Sequence, residues 1–139
     1  FTIGKANVLR EGKDIAIIAC GTMVFKSMEA SDLLRLEKID CSVIDMHTIK
    51  PIDVEIIQQL ANTKKLIVTV EEHSIIGGLG SAVSEFTCSI KSNTPQLTIG
   101  LPDTYGKSGA YHDLLEYYGL KGNQIAKSII NKYHKVVNG

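Results

Sequence analysis

The most constraining feature of this sequence is residues 66–86, which read as strand, loop and helix in direct succession. A largely apolar, β-branched run predicts a strand at 66–70, and helical spacing of apolar residues from Leu79 to Ile90 predicts a helix. Between them lie two carboxylates, a histidine and three glycines: Glu71, Glu72, His73, Gly77, Gly78 and Gly80. Ligands of open α/β sheets bind at such strand-to-helix junctions, so this loop is the first candidate site.

Strand and helix patterns alternate along the rest of the chain. Apolar runs at 15–20, 41–46 and 96–101 predict further strands, and a short edge strand is expected within 1–10. Helices are expected from Met23, from Val54 with Asp53 as N-cap, through Leu114, and over a terminal stripe from Ile125 to Val137. Strands that alternate with helices and are buried on both faces predict one three-layer α/β/α domain over residues 1–139, with a mainly parallel sheet.

Composition excludes two classes of partner. Lys plus Arg and Asp plus Glu number 15 each, so no basic surplus indicates nucleic acid or anionic lipid. No apolar run has the length of a membrane span, and we expect no membrane partner. Cys20, Cys41 and Cys88 lie in apolar contexts without a paired motif, which is typical of small buried thiols in a reducing cytoplasm.

The glycine loop resembles a dinucleotide-binding fingerprint in position but not in detail. Val83 stands where the third glycine belongs, and the acidic pair upstream would repel a pyrophosphate. Carboxylates beside a helix N-terminus also satisfy its positive end, so we expect tight turns and close packing from these glycines. The alternative is a regulatory module that binds an anion or nucleotide near Gly21, residues 77–80 and Gly106.

Glu71, Glu72 and His73 have the residue types of an acid/base cluster. Neighbouring strand residues point to opposite faces, however, which favours a polar contact with another domain or subunit over an active site made by this chain. Charge reversal at Glu72 is then expected to weaken assembly.

The sequence leaves three weaker alternatives for a chemical site. They are a Cys20 nucleophile beside His73, phosphate binding at Lys107 and Ser108, and a metal site drawn from the four histidines: His47, His73, His112 and His134.

Six segments in order resemble the C-terminal domain of transketolases. They are Gly4-Lys5-Ala6, residues 10–14, His-Thr-Ile-Lys-Pro-Ile-Asp at 47–53, Glu-Glu-His-Ser at 71–74 with the glycines of 77–80, Asp-Thr-Tyr-Gly-Lys-Ser-Gly at 103–109, and residues 114–120. The segments at 47–53 and 71–74 look most like transketolases of the split, two-subunit kind. Deoxyxylulose-phosphate synthases share Glu-Glu-His and are the second candidate.

The resemblance implies a five-stranded mixed sheet whose first strand, at residues 5–10, is an antiparallel edge. It implies that the complete enzyme is cytoplasmic, acts in the pentose phosphate pathway and moves two-carbon ketol units between sugar phosphates. Thiamine diphosphate and a divalent metal, Mg²⁺ or Ca²⁺, would be held by a diphosphate-binding and a pyrimidine-binding domain, in a homodimer or two-subunit assembly. This domain would hold no cofactor and no catalytic residue, and Glu71, Glu72, His73, Gly77, Gly78 and Gly80 are its predicted contact.

One departure from the family is local. Relatives tend to have Ser or Thr before the terminal helix, where this chain has Lys121. We therefore expect Gly122 or Asn123 to cap that helix, or its first turn to fray.

Overall fold

The computed structural model describes residues 1–139 and has a five-stranded sheet between two layers of helices. The strands are β1 (Asn7–Arg10), β2 (Ile15–Ala19), β3 (Cys41–Asp45), β4 (Leu66–Ser74) and β5 (Gln96–Leu101). The helices are α1 (Met23–Leu36), α2 (Val54–Thr63), α3 (Leu79–Ser89), α4 (Tyr111–Tyr117) and α5 (Gly122–Asn138). None of these helices is long and apolar enough to cross a membrane.

The strand order is β1-β3-β2-β4-β5, with β1 antiparallel to β3 and every other pair parallel. This arrangement confirms the expected mixed sheet with an antiparallel edge. β2 lies at its centre, and all five of its residues are fully buried because both faces are covered. The carboxyl ends of β2, β3, β4 and β5 therefore meet along one edge of the sheet.

Two separate apolar clusters hold the helices on the sheet. On one face, alternate residues of β2 and β4 pack against α1, α4 and α5, with Ile17, Leu34 and Ile129 fully buried. On the other face, the intervening residues pack against α2 and α3 around Ile18, Ile57 and Val83. The period-2 alternation of a strand thus divides the core into two halves, which confirms the three-layer prediction.

Two strands differ from their predicted bounds. β1 begins at Asn7, two residues later than the resemblance implies, because the turn at residues 3–4 precedes it. β4 continues to Ser74, so the acidic pair and His73 lie on a strand and not in a loop. The extension is held by β5: Ser74 pairs with Leu101, whose carbonyl oxygen accepts from the N–H of Ile75 at 2.9 Å.

The two predicted helix caps have different outcomes. Asp53 caps α2 as expected, since its Oδ1 accepts from the N–H of Ile56 at 3.4 Å. The expectation that Gly122 or Asn123 caps α5 is wrong, because Lys121 is the N-cap and Gly122 is already helical. Gln124 reaches back instead: its Oε1 accepts from the N–H of Lys121 at 3.2 Å, and its Nε2 donates to the Glu116 carbonyl at 2.8 Å.

Candidate contact site at the carboxyl edge of the sheet

The end of β4 places two adjacent carboxylates in different environments. Glu71 faces α3 and is completely buried, whereas Glu72 points to the opposite face and is partly exposed. This confirms that the two side chains do not share one site, as expected for neighbouring residues on a strand. His73, one residue further, is exposed to solvent.

Glu71 binds the N-terminus of α3 with both carboxylate oxygens. Its Oε1 accepts from the N–H of Leu79 and its Oε2 from the N–H of Gly80, each at 2.8 Å. These N–H groups belong to the first turn, where no helical carbonyl is available to accept from them. The buried charge is therefore stabilised by two charge-assisted hydrogen bonds and by the positive end of the helix.

The glycines of the loop make room for this carboxylate. A Cβ on Gly78 would lie 1.9 Å from Oε1 of Glu71, and a Cβ on Gly80 would lie 2.6 Å from the Thr98 methyl group. Gly77 has φ +82°, a conformation that L side chains rarely adopt. The expected role of the glycines in tight turning and close packing is thus confirmed.

The same geometry corrects part of the predicted contact set. Glu71 has no exposed surface and Gly80 is buried, because both are used in fastening α3 to the sheet. They are therefore not contact residues in this arrangement. Glu72, His73, Gly77 and Gly78 remain at or near the surface and stay a prediction.

Glu72 joins three elements at the carboxyl edge. Its Oε2 accepts from Oγ1 of Thr22 at 2.5 Å and from the hydroxyl of Tyr111 at 3.1 Å. Thr22 follows β2 and precedes α1, and Tyr111 begins α4. Sequence reasoning did not single out these two partners, although parallel strands that end side by side could have indicated Thr22.

The structure does not assemble the alternative chemical sites. Cys20 is 9% exposed and makes no hydrogen bond with His73, which is exposed. The described residues contain no group of three or more His, Cys, Asp or Glu side chains that could hold a metal ion. Lys107 and Ser108 lie in an exposed segment, where the ammonium of Lys107 sits 4.5 Å from the ring centroid of Tyr117.

Burial raises the pKa of the Cys20 thiol to about 11, with smaller contributions from the nearby carboxylates of Glu71 and Asp45. Because the thiolate is the reactive form, we expect Cys20 to be alkylated much more slowly than exposed Cys88 at neutral pH. The alkylation rate of Cys20 should rise as the pH approaches the pKa of its thiol. Mass spectrometry of time-resolved alkylation measures both sites in one sample. Equal rates at neutral pH would contradict the prediction.

The family described as "Transketolase, C-terminal domain" matches residues 4–125. This chain belongs to the transketolase C-terminal domain family. A "Putative transketolase C-terminal section" from Methanocaldococcus jannaschii is 46% identical over 135 residues, which are 97% of this chain and 42% of that protein. A 1-deoxy-D-xylulose-5-phosphate synthase from Caldanaerobacter subterraneus is 38% identical over 98% of this chain and 22% of that protein.

A solved structure supports the same family assignment. The protein titled "Split gene transketolase, inactive beta4 tetramer" is 40% identical with a TM-score of 0.85, and the match covers 94% of this chain and 42% of that chain. The transketolase C-terminal domain thus spans less than half the length of each of these relatives.

The loop at residues 77–80 does not fit the diphosphate of the cofactor that the family resemblance implies. The loop best placed for a diphosphate is that of residues 77–80, yet the N–H groups of Leu79 and Gly80 are already bonded to Glu71. A second anion there would compete with the Glu71 carboxylate for these N–H groups and would be repelled by its charge. This also argues against an anion or nucleotide site at this loop.

Proposed function

We propose that this chain is the non-catalytic C-terminal domain of a transketolase of the split, two-subunit kind. The observation that carries the proposal is the 46% identity to the Methanocaldococcus jannaschii transketolase section along nearly the whole chain. The structural similarity to the split-gene transketolase, with 40% identity, supports the split form.

In this proposal the catalytic residues and the cofactor belong to other parts of the enzyme. A diphosphate-binding and a pyrimidine-binding domain hold thiamine diphosphate and Mg²⁺ or Ca²⁺, and the complete enzyme transfers two-carbon ketol units between sugar phosphates. We propose a cytoplasmic homodimer or two-subunit assembly. The three free cysteines, two of them buried, are typical of a reducing compartment.

The test is the reaction of the complete enzyme reconstituted with thiamine diphosphate and Mg²⁺. We expect transfer of a two-carbon unit from a ketose phosphate to an aldose phosphate, followed by mass spectrometry of the lengthened product. The reaction without added thiamine diphosphate is the control. Absence of transfer with all candidate sugar phosphates would contradict the proposal.

The second candidate is the C-terminal domain of a 1-deoxy-D-xylulose-5-phosphate synthase. The 38% identity to the Caldanaerobacter subterraneus enzyme over almost the whole chain favours it specifically. Formation of 1-deoxy-D-xylulose 5-phosphate by the complete enzyme, without ketol transfer between sugar phosphates, would establish this candidate in place of the first.

The contribution of this domain would be a rigid contact surface beside the end of β4. Glu72, His73, Gly77 and Gly78 line this surface together with Ile76, whose side chain is 64% exposed although it is large and apolar. Charge reversal at Glu72 would also break its bonds to Thr22 and Tyr111, so Ile76 offers a cleaner test.

We expect Ile76→Asp to weaken assembly of the complete enzyme, because a charge would be buried without a partner in an apolar contact. Sedimentation analysis across protein concentrations measures the change. Val137→Asp, at an exposed apolar position of α5, is the matched control and should assemble normally. Equal assembly of both variants would remove this surface from the proposed contact.

A further inference from the structure

A small cavity lies beyond the carboxyl ends of β4 and β5, and Glu72 belongs both to its lining and to the contact surface proposed above. Its volume is about 210 Å³, it is open to solvent on one side, and α4 together with Gly106 and Lys107 forms part of its wall. Six apolar or aromatic side chains line it: Leu101, Tyr111, Leu114, Leu115, Tyr118 and Leu120. Leu115 and Leu120 are almost fully buried, so the wall is built by the core of the domain.

Gly106 and two oppositely charged residues, Glu72 and Lys107, complete the lining, and neither charge takes part in an ion pair within the chain. Oε2 of Glu72 accepts from two hydroxyl groups, while its Oε1 has no hydrogen-bond partner in the structure. Lys107 is in contact with the Tyr117 ring and its backbone N–H donates to the Tyr118 hydroxyl at 3.0 Å. The six ion pairs of the domain involve neither residue.

An apolar cavity with one free carboxylate oxygen, and with an exposed ammonium that has no ion-pair partner and lies over the neighbouring Tyr117 ring, is complementary to a small zwitterion with an apolar body. We infer that this cavity binds an aliphatic α-amino acid. The α-ammonium group would bind Oε1 of Glu72, the α-carboxylate would bind Lys107, and the hydrocarbon side chain would lie among the leucines. Charge-assisted hydrogen bonds and buried apolar surface each favour this class of ligand.

Other ligand classes fit less well. Pockets for drug-sized ligands and cofactors have volumes of roughly 300–1,000 Å³, so this cavity is too small for a nucleotide. A sugar phosphate would place its hydroxyl groups against leucine side chains that neither donate nor accept hydrogen bonds. Glu72 would repel a simple anion at one end of the cavity. The inference does not depend on which reaction the complete enzyme catalyses.

The experiment is a titration of the complete protein, with isotope-labelled leucine methyl groups, by millimolar L-leucine. We expect saturable chemical-shift changes confined to the methyl groups of Leu101, Leu114, Leu115 and Leu120. Isoamylamine, which lacks the carboxylate, and 4-methylpentanoate, which lacks the ammonium group, should each bind at least roughly tenfold more weakly, the effect of one lost charged hydrogen bond. Glycine, which has no hydrocarbon side chain, should also bind weakly.

Single substitutions test the two proposed contacts between the protein and the ligand. Glu72→Gln should weaken binding of L-leucine and isoamylamine alike, while Lys107→Gln should weaken binding of L-leucine but not of isoamylamine. Glu85→Gln and Lys127→Gln change exposed charges on α3 and α5 and should leave the affinity unchanged. Leu114→Phe should fill the cavity and abolish binding without a change in charge. Shifts that are absent, that map elsewhere, or that are insensitive to Glu72→Gln would overturn the inference.

Discussion

Replacing Glu71 with Ala is expected to lower the free energy of unfolding by about 2–4 kcal/mol. The carboxylate is fully buried and accepts from the N–H groups of Leu79 and Gly80 at 2.8 Å each. Its removal leaves two buried donors unpaired at the end of α3 and opens a cavity between the helix and β4. Urea denaturation of the 139-residue chain, which carries its own two-part core, measures the loss.

Two matched variants separate the charge from the other effects of this substitution. Glu71→Gln keeps the volume and one acceptor oxygen, but its amide NH₂ would face an N–H donor, so an intermediate loss is expected. Glu85→Ala removes an exposed carboxylate from the same helix and should change stability by no more than about 0.5 kcal/mol. If Glu71→Ala were as stable as Glu85→Ala, Glu71 would not fasten α3.

The architecture could be predicted from the sequence because its signals are local. Strands covered on both faces appear in the sequence as continuous apolar runs. Apolar residues of a helix recur every three or four positions, as Leu79 and Val83 do in α3. The acidic pair beside the helix start also indicated that the N-terminus is internally satisfied. The antiparallel edge, by contrast, came from family resemblance, since the direction of a short strand leaves no periodic signal.

The role of each site residue depended on contacts that the sequence does not encode locally. Glu71 and Glu72 are chemically identical neighbours, and only the packing of α3 decides which of them is buried. Tyr111 reaches Glu72 across 39 positions of the chain, so no motif spacing relates them. The cap of α5 was wrongly predicted because a Gln at the third helical position replaced the usual side-chain cap.

Gly12, in the turn between β1 and β2, also depends on contacts that are distant in the sequence. In the fold its Cα faces the backbone of Cys41, and an added Cβ would lie 2.2 Å from the carbonyl carbon of that residue. Hydrogen bonds to Ser42 hold the turn in place: Ser42 Oγ accepts from the N–H of Gly12 at 2.9 Å and donates to its carbonyl oxygen at 3.0 Å. If the turn at Gly12 or the backbone of β3 at Cys41 moved to make room, the pairing between β2 and β3 would be lost.

We therefore expect Gly12→Ala to destabilise the domain by at least about 3 kcal/mol, the upper range for overpacking of a rigid core. Gly109→Ala is the matched control, since its Cβ would be 3.7 Å from Leu114, an ordinary contact distance, and it should change stability little. Thermal unfolding compares the two variants, and soluble yield serves if Gly12→Ala does not fold. The backbone of β3 is the obstacle in this account, so equal stability of the two variants would show that the β1–β2 turn can move away from it.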